Sequence, residues 1–327
     1  MKTLLLTGIA GDIAQAVATI VRDVRPDWRL VGVDVHGQHG GSLVVDALDT
    51  VPYAHTGEFL PELRRVVREH TADHVLVMSE AELRRLHTER IDEIGGAPII
   101  GSAPAALEIG LDKLSTARFL ESIGVPAPWT IEAHPDVLPP LPCLFKPRRS
   151  AGSKGVAICR TADECRWHAL QTPDGVFQEL LLPADAEVTC AVYRDRTGRT
   201  QVLPMLRRLV GGQTGWIRVL DAPEAVVQCR TIAERLDLRG PINVQMRLTP
   251  AGPRIFEINP RFSSTALLRH RLGFCDVAWL LDELEGRDVS HAHVAPGREA
   301  VRTQGAAVLA ASRHPSTPVH SDATNRP

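Results

Sequence analysis

The residues best suited to chemistry lie in one short stretch, 240–264, GPINVQMRLTPAGPRIFEINPRFSS. Its alternation predicts two adjacent strands joined by a tight turn, with Gln245 ending the first and Glu257 and Asn259 on the second. Alternate side chains of a strand share a face, so Glu257, Asn259 and Arg261 project together and Ile258 points the other way. Mg2+ prefers an octahedron of oxygens and usually keeps water and phosphate oxygens among them. A Glu, an Asn or Gln and a nearby Arg therefore make a set suited to a magnesium–nucleotide site. A half-buried hairpin with polar edges alternates in the same way, and spacing alone leaves both readings open.

Lysine usage is a second signal. Of 37 basic residues only four are Lys, at positions 2, 113, 146 and 154. A chain that uses Arg wherever a generic cation suffices keeps Lys where a compact, flexible ammonium is needed, as in phosphate neutralisation, or by chance on a solvated face. Lys113 lies in GLDKLSTARFLESIGVPAP, whose helical apolar rhythm of Leu111, Leu114, Phe119, Leu120 and Ile123 stops at Gly124 and Pro126. Lys146 ends the strand CLFKP, and the loop RRSAGSKGV follows. Small residues there let backbone N–H groups approach an anion, and Arg148, Arg149 and Lys154 are expected to make the loop electropositive. No Gly-Lys-Ser/Thr ending occurs, so the loop is not a Walker A motif.

The phrase NVQ, a short turn and EINPRFSSTALL together resemble the metal-binding core of the ATP-grasp superfamily, most closely its carbamoyl-phosphate-synthetase-like carboxylate–amine ligases. The resemblance implies that Gln245, Glu257 and Asn259 bind two Mg2+ ions, with Mn2+ able to substitute. Gln245 stands where many relatives carry Asp, which implies a looser hold on the first metal. Arg261 would contact the transferred phosphoryl group or the carboxylate substrate. Lys113, Lys146 and the loop residues Gly152, Ser153, Lys154 and Gly155 would surround the ATP phosphates, with Lys154 in a variable slot. Glu179, Leu180 and Leu181 would form the adenine hinge and Glu187 the ribose carboxylate, although two acids flanking a turn would look the same. Arg207 and Arg208 are adjacent on one strand, so only one of them can face the acceptor site; Arg207 is favoured.

Fold expectations follow from pattern and resemblance together. KTLLLTG, a helix from Asp12 to about Val24, RLVGVDV, a helix around Glu58 to His70, and HVLVMSE alternate as in a parallel, three-layer α/β domain. The resemblance makes this a Rossmann-like domain over 1–102 that precedes an α+β ATP-grasp domain over 103–310. A lid would span 128–178, and 311–327 is expected to be disordered. Substrate residues in the first domain are expected in Gly8 to Asp12 or near Ser79 and Glu80. A rival reading is dinucleotide binding, because Asp34 ends the second strand. TGIAGDI supplies only Gly8 and Gly11, short of GxGxxG.

The chain has 327 residues, 44% hydrophobic content and a formal net charge of −2, enough core for two or three domains and no general nucleic-acid surface. No segment reaches the roughly 20 apolar residues needed to cross a bilayer. MKTLLLTG reads as a buried first strand, not as a leader. Six Cys without CxxC or Cys/His zinc spacing are expected to be reduced and buried, in keeping with a cytoplasmic protein. The activity implied by the resemblance is ATP-dependent activation of a small-molecule carboxylate as an acyl phosphate, with ADP as product and an amine as acceptor. A homodimer is one assembly the resemblance allows. Carboxylation through carboxyphosphate, a regulatory nucleotide-binding protein and an NAD(P)-dependent oxidoreductase are the alternatives.

Overall fold

A computed structural model describes residues 1–101, 103–150, 152, 154–291 and 293–303. The first unit contains β1 (Thr3–Thr7), α1 (Asp12–Val24), β2 (Arg29–Asp34), β3 (Ala47–Thr50), α2 (Phe59–Glu69), β4 (His74–Leu76), α3 (Glu80–Thr88), β5 (Glu93–Ile94) and β6 (Ala97–Ile100). Its sheet has the order β3-β2-β1-β4-β6-β5 and is parallel apart from the β5–β6 pair. Every residue of β1 is buried, as an apolar run covered on both faces requires. Alternation divides it: Leu4 and Leu6 pack in the core that contains α1, and Leu5 in the core that contains α2. The chain turns back on itself at β1, so the crevice beyond β1 and β4 is a topological switch point.

Helices α4 (Pro104–Gly110) and α5 (Lys113–Ser122) lead into a small antiparallel sheet of β7 (Thr130–Glu132), β8 (Cys143–Pro147), β9 (Ala157–Cys159) and β10 (Gly175–Glu179), ordered β7-β10-β8-β9. Helix α6 (Ala162–Gln171) covers it and begins with a capping box between Thr161 and Glu164. A second antiparallel sheet follows: β11 (Glu187–Arg194), β12 (Thr200–Val210), β13 (Gln213–Val219), β14 (Gly240–Thr249), β15 (Gly252–Asn259) and β16 (Glu299–Val301), in the order β15-β14-β11-β12-β13-β16. Helix α7 (Pro223–Arg235) packs with α5 on the face carrying Val188, Val244 and Ile258. On the other face Ala191, Leu203 and Met205 join α8 (Ala266–Leu272) and α9 (Asp276–Leu284), and that core is continuous with α1.

Gln245 does not end its strand: β14 runs on to Thr249, because Arg247, Leu248 and Thr249 stay in register with Arg254, Pro253 and Gly252. Strand β16 adds an edge beside β13 at Glu299–Val301, while 304–310 and the tail 311–327 lie outside the described residues. The entrance to β14 needs glycine. Gly240 has φ +83°, and a Cβ there would lie 2.6 Å from the Gly101 carbonyl oxygen at the end of the first sheet.

The loop after β15 hangs on Arg269, whose side chain is 2% exposed. Its Nε donates to both oxygens of Asp276 at 3.1 Å, and its Nη1 donates to Ser263 Oγ at 3.0 Å and Thr265 Oγ1 at 2.7 Å. Removing one member of such a buried pair leaves an uncompensated charge. Asp276→Ala is expected to lower stability by about 3–5 kcal/mol, checked by the shift of its denaturant midpoint against the parent chain.

Candidate active site

The register of the second sheet sets the site. Glu187 pairs with Arg247, Thr189 with Gln245 and Ala191 with Asn243 across β11–β14, and Gln245 pairs with Glu257 and Asn243 with Asn259 across β14–β15. These rows put Glu187, Thr189, Asn243, Gln245, Glu257 and Asn259 on one face. The ladder shifts between Gln245 and Met246, leaving Phe256 as an extra residue on β15. At a bulge two consecutive residues can serve the same side. Both Phe256 and its neighbour Glu257 reach Lys146: its Nζ lies 5.0 Å from the Phe256 ring centroid, and the Glu257 carboxylate acts on its charge.

Lys146 comes from the small sheet that covers this face. It is 8% exposed, and its ammonium donates to Gln178 Oε1 at 2.7 Å. Burial, with Lys113 and Arg247 as nearby positive charges, brings its pKa down to about 8 against the pull of Glu257 and Glu187. Lys113 starts α5, where Asp112 caps the helix, and its Nζ donates to the Ser150 carbonyl at 2.7 Å at the root of the loop after β8. Gly155 closes this loop at φ +73°, where a Cβ would meet Pro147 Cγ at 2.7 Å. Gly152 and Lys154 are exposed; Ser153 lies outside the described residues.

The loop is less electropositive than the sequence predicts. Arg148 Nε donates to both oxygens of Asp112 at 2.8 Å, and Arg149 pairs with Asp174 at 2.8 Å and Asp112 at 3.3 Å. Two cations expected to face an anion are neutralised by acids far away in sequence.

Glu179 is also paired, receiving Arg254 Nη1 at 3.0 Å and Nη2 at 2.9 Å, which joins the small sheet to β15. Leu180 is partly buried and Leu181 is 8% exposed, and they carry the chain from the small sheet to the large one. Glu187 Oε1 accepts from Arg207 Nε at 2.7 Å, and Arg207 Nη2 donates to Gln245 Oε1 at 2.9 Å. Arg208 is exposed and lies over the Trp216 ring at 4.9 Å, so Arg207 is the member of the pair on the site face. Arg261 reaches the first unit, where its Nη2 donates to Glu80 Oε1 at 2.5 Å. Asp34 spends both carboxylate oxygens on its own neighbourhood, accepting from Ala10 N and Val35 N at 2.8 Å.

Sequence reasoning missed Gln178, Asn243, Arg247 and Phe256. Asn243 carried a usable signal, since it lies two residues before Gln245 and so on the same face. It is 1% exposed; its Oδ1 accepts from Thr189 Oγ1 at 2.7 Å and its Nδ2 has no hydrogen-bond partner among the described residues. A buried donor without a partner among the described residues, on the same sheet face as Gln245, Glu257 and Asn259, fits a ligand that brings oxygens with it. The hard oxygens of Gln245, Glu257 and Asn259 fit Mg2+, and Lys113 and Lys146 fit phosphate.

Residues 181–306 match the family described as "ATP-grasp in the biosynthetic pathway with Ter operon". No curated sequence relative matches the chain. Among solved structures, N5-carboxyaminoimidazole ribonucleotide synthetase from Thermus thermophilus superposes with a TM-score of 0.71 at 19% identity, covering 90% of this chain and 81% of that one. The biotin carboxylase domain of Hydrogenobacter thermophilus 2-oxoglutarate carboxylase, solved with MgADP, ADP and bicarbonate, gives 0.73 at 14% identity, covering 91% of this chain and 73% of that one. L-amino acid ligase from Bacillus licheniformis gives 0.68 at 15% identity over 91% and 78%. The chain shares the fold of these structures, and its segment 181–306 matches an ATP-grasp family. Among the described residues no helix is long and apolar enough to cross a membrane.

The depressed Lys146 has a measurable signature. Between its folded pKa of about 8 and the ordinary 10.5, the unfolded chain holds a proton that the folded chain has released. The contribution of Lys146 to stability therefore rises with pH across this window. Denaturant midpoints measured at pH values spanning it are expected to show that rise, and Lys146→Met is expected to remove it.

Proposed function

We propose that this chain is an ATP-dependent ligase that activates a small-molecule carboxylate by phosphorylation, with release of ADP, and transfers the acyl group to an amine. One observation carries the reading: Lys113 at the start of α5 and Lys146 on β8, from separate elements, are near enough to oppose each other's charge, and the Lys146 ammonium lies 5.0 Å from the ring of Phe256, the neighbour of Glu257. Such a like-charge pair is unfavourable by itself and is relieved by a polyphosphate.

The roles follow from placement. Lys113 and Lys146 would neutralise the phosphates, and the Gly152–Gly155 loop would close over them. Glu179, Leu180 and Leu181 would border the adenine and Glu187 the ribose, with Arg207 released toward the acceptor when Glu187 turns to the sugar. Gln245, Glu257 and Asn259 would hold Mg2+, which supplies charge neutralisation on the phosphate oxygens. Arg261, steadied by Glu80, would face the carboxylate and its acyl phosphate, which places the acceptor between the two large units. No side-chain nucleophile is required, because the substrate carboxylate attacks and the amine displaces phosphate. The protein contributes orientation, electrostatic stabilisation and exclusion of water beneath the lid.

Incubation with MgATP, a panel of carboxylic and amino acids, and hydroxylamine as acceptor tests this reading by mass spectrometry. A hydroxamate matched by ADP is expected with the true carboxylate, and a folded Glu257→Ala variant is expected to be slower by about a hundredfold or more. Full ADP production by that variant would remove the metal assignment, and AMP in place of ADP would overturn the mechanism.

A further inference from the structure

The small sheet conceals a second cluster, on the side away from the proposed phosphate site. Cys143 on β8 and Cys159 on β9 are directly paired across the ladder, and Cys165 comes down on them from the first turn of α6. Their relative exposures are 0%, 0% and 2%. All three sulfurs lie within 4.8 Å of one another, with Cys143 Sγ and Cys165 Sγ 3.9 Å apart. Phe145, Phe177, Ala133 and Ala169 pack with them, with Trp129 at the edge, and His168 of α6 stacks on the Phe145 ring at 4.9 Å. On β8, Cys143 and Phe145 face this core, while alternation sends Lys146 to the opposite face.

At bonds of about 2.3 Å, three sulfurs sit about 4 Å apart around a planar centre and about 3.3–3.5 Å apart around a pyramidal one, so the cluster would have to contract by about half an ångström or more to become a pyramidal ligand set. Coordination number and charge narrow the ligand. A structural zinc site takes four ligands, and among the described residues no fourth His, Cys, Asp or Glu joins this cluster. Three thiolates would leave a net charge of −2 around Cu+ and −1 around Zn2+, with no Lys or Arg among the described residues of the apolar cluster to offset it. A trivalent centre leaves none.

We propose that Cys143, Cys159 and Cys165 form a three-sulfur site for a trivalent thiophilic centre, with arsenic(III) as its probe. The chemistry balances without an oxidant. As(OH)3 and three thiols exchange three As–O bonds for three As–S bonds, each thiol proton leaves with a hydroxide as water, and the product is neutral. Burial pushes the Cys143 thiol up and the Cys159 thiol up to about 12, which favours their protonated form, the form this exchange consumes. Bound, the centre would tie β8, β9 and α6 together in a unit with a small core. The site is independent of the ligase reading, because it uses none of those residues.

The test is native mass spectrometry of the full reduced chain with arsenite, together with maleimide labelling of its thiols. The expected result is a mass gain of one arsenic less three hydrogens, with Cys143, Cys159 and Cys165 shielded from the label. Cys165→Ala and Cys165→Ser, each confirmed as folded by circular dichroism, are expected to lose the arsenic-bearing species. Cys229→Ala, in the core of the other sheet, is expected to keep it. Absence of a stoichiometric complex, its survival in both Cys165 variants, or displacement of arsenic by equimolar Zn2+ or Cu+ would overturn the proposal and leave the cluster as apolar packing.

Discussion

The pairing of β14 with β15 is the constraint on which the cleft depends. Gln245 lies opposite Glu257 and Asn243 opposite Asn259, and the shift after Gln245 adds Phe256 to the same neighbourhood. A slip of one residue would send every one of these oxygens into the core now filled by Val244, Met246 and Ile258. The apolar alternation therefore protects the polar one: the buried face holds the register, and the register aligns the donors. β11 extends the rows with Glu187 and Thr189, which explains why acids and amides far apart in sequence share one surface.

The three units are held together unequally, and the difference bears on how a lid could work. The first unit is fastened to the large sheet by a continuous apolar core. Polar ties add to it: Arg25 bonds to Asp282 at 2.5 Å and Glu285 at 2.9 Å, and Arg261 to Glu80. The small sheet has its own core and meets the rest chiefly through charged contacts, such as Arg254 with Glu179 and Arg148 with Asp112. Partly exposed ion pairs contribute little and exchange readily with water. A lid motion of this unit would carry Lys146 toward or away from Glu257.

Much of the site was legible because its residue types are unusual for their places. Scarce lysines, a carboxylate and amides at period two, and a Gly-rich loop make Lys113, Lys146, Gln245, Glu257 and Asn259 candidates before any coordinates, and the fold puts Gln245, Glu257 and Asn259 on one sheet face with Lys146 against the neighbouring Phe256. The strand–helix alternation of the first unit was equally readable, because β1, α1, β2 and α2 each carry a long apolar rhythm; β3, β5 and α3 are too short to carry one. What the sequence hides is pairing at a distance. Arg148 and Arg149 read as anion ligands until Asp112 and Asp174 are seen beside them, and Gln178 is an ordinary strand residue until it accepts from Lys146. The three thiols show no ligand spacing, because a strand, its ladder partner and a helix turn assemble them only in three dimensions.

The central claim is that the cleft is electrostatically prepared for phosphate, with Lys146 partly deprotonated until phosphate arrives. Calorimetric titration with MgATP near pH 8.5, in two buffers of different ionisation enthalpy, measures the protons exchanged on binding. The account predicts net proton uptake by the parent chain, since phosphate oxygens raise the Lys146 pKa from about 8, and its loss in Lys146→Met. Tight MgATP binding with no proton uptake, or the same uptake in both proteins, would contradict it.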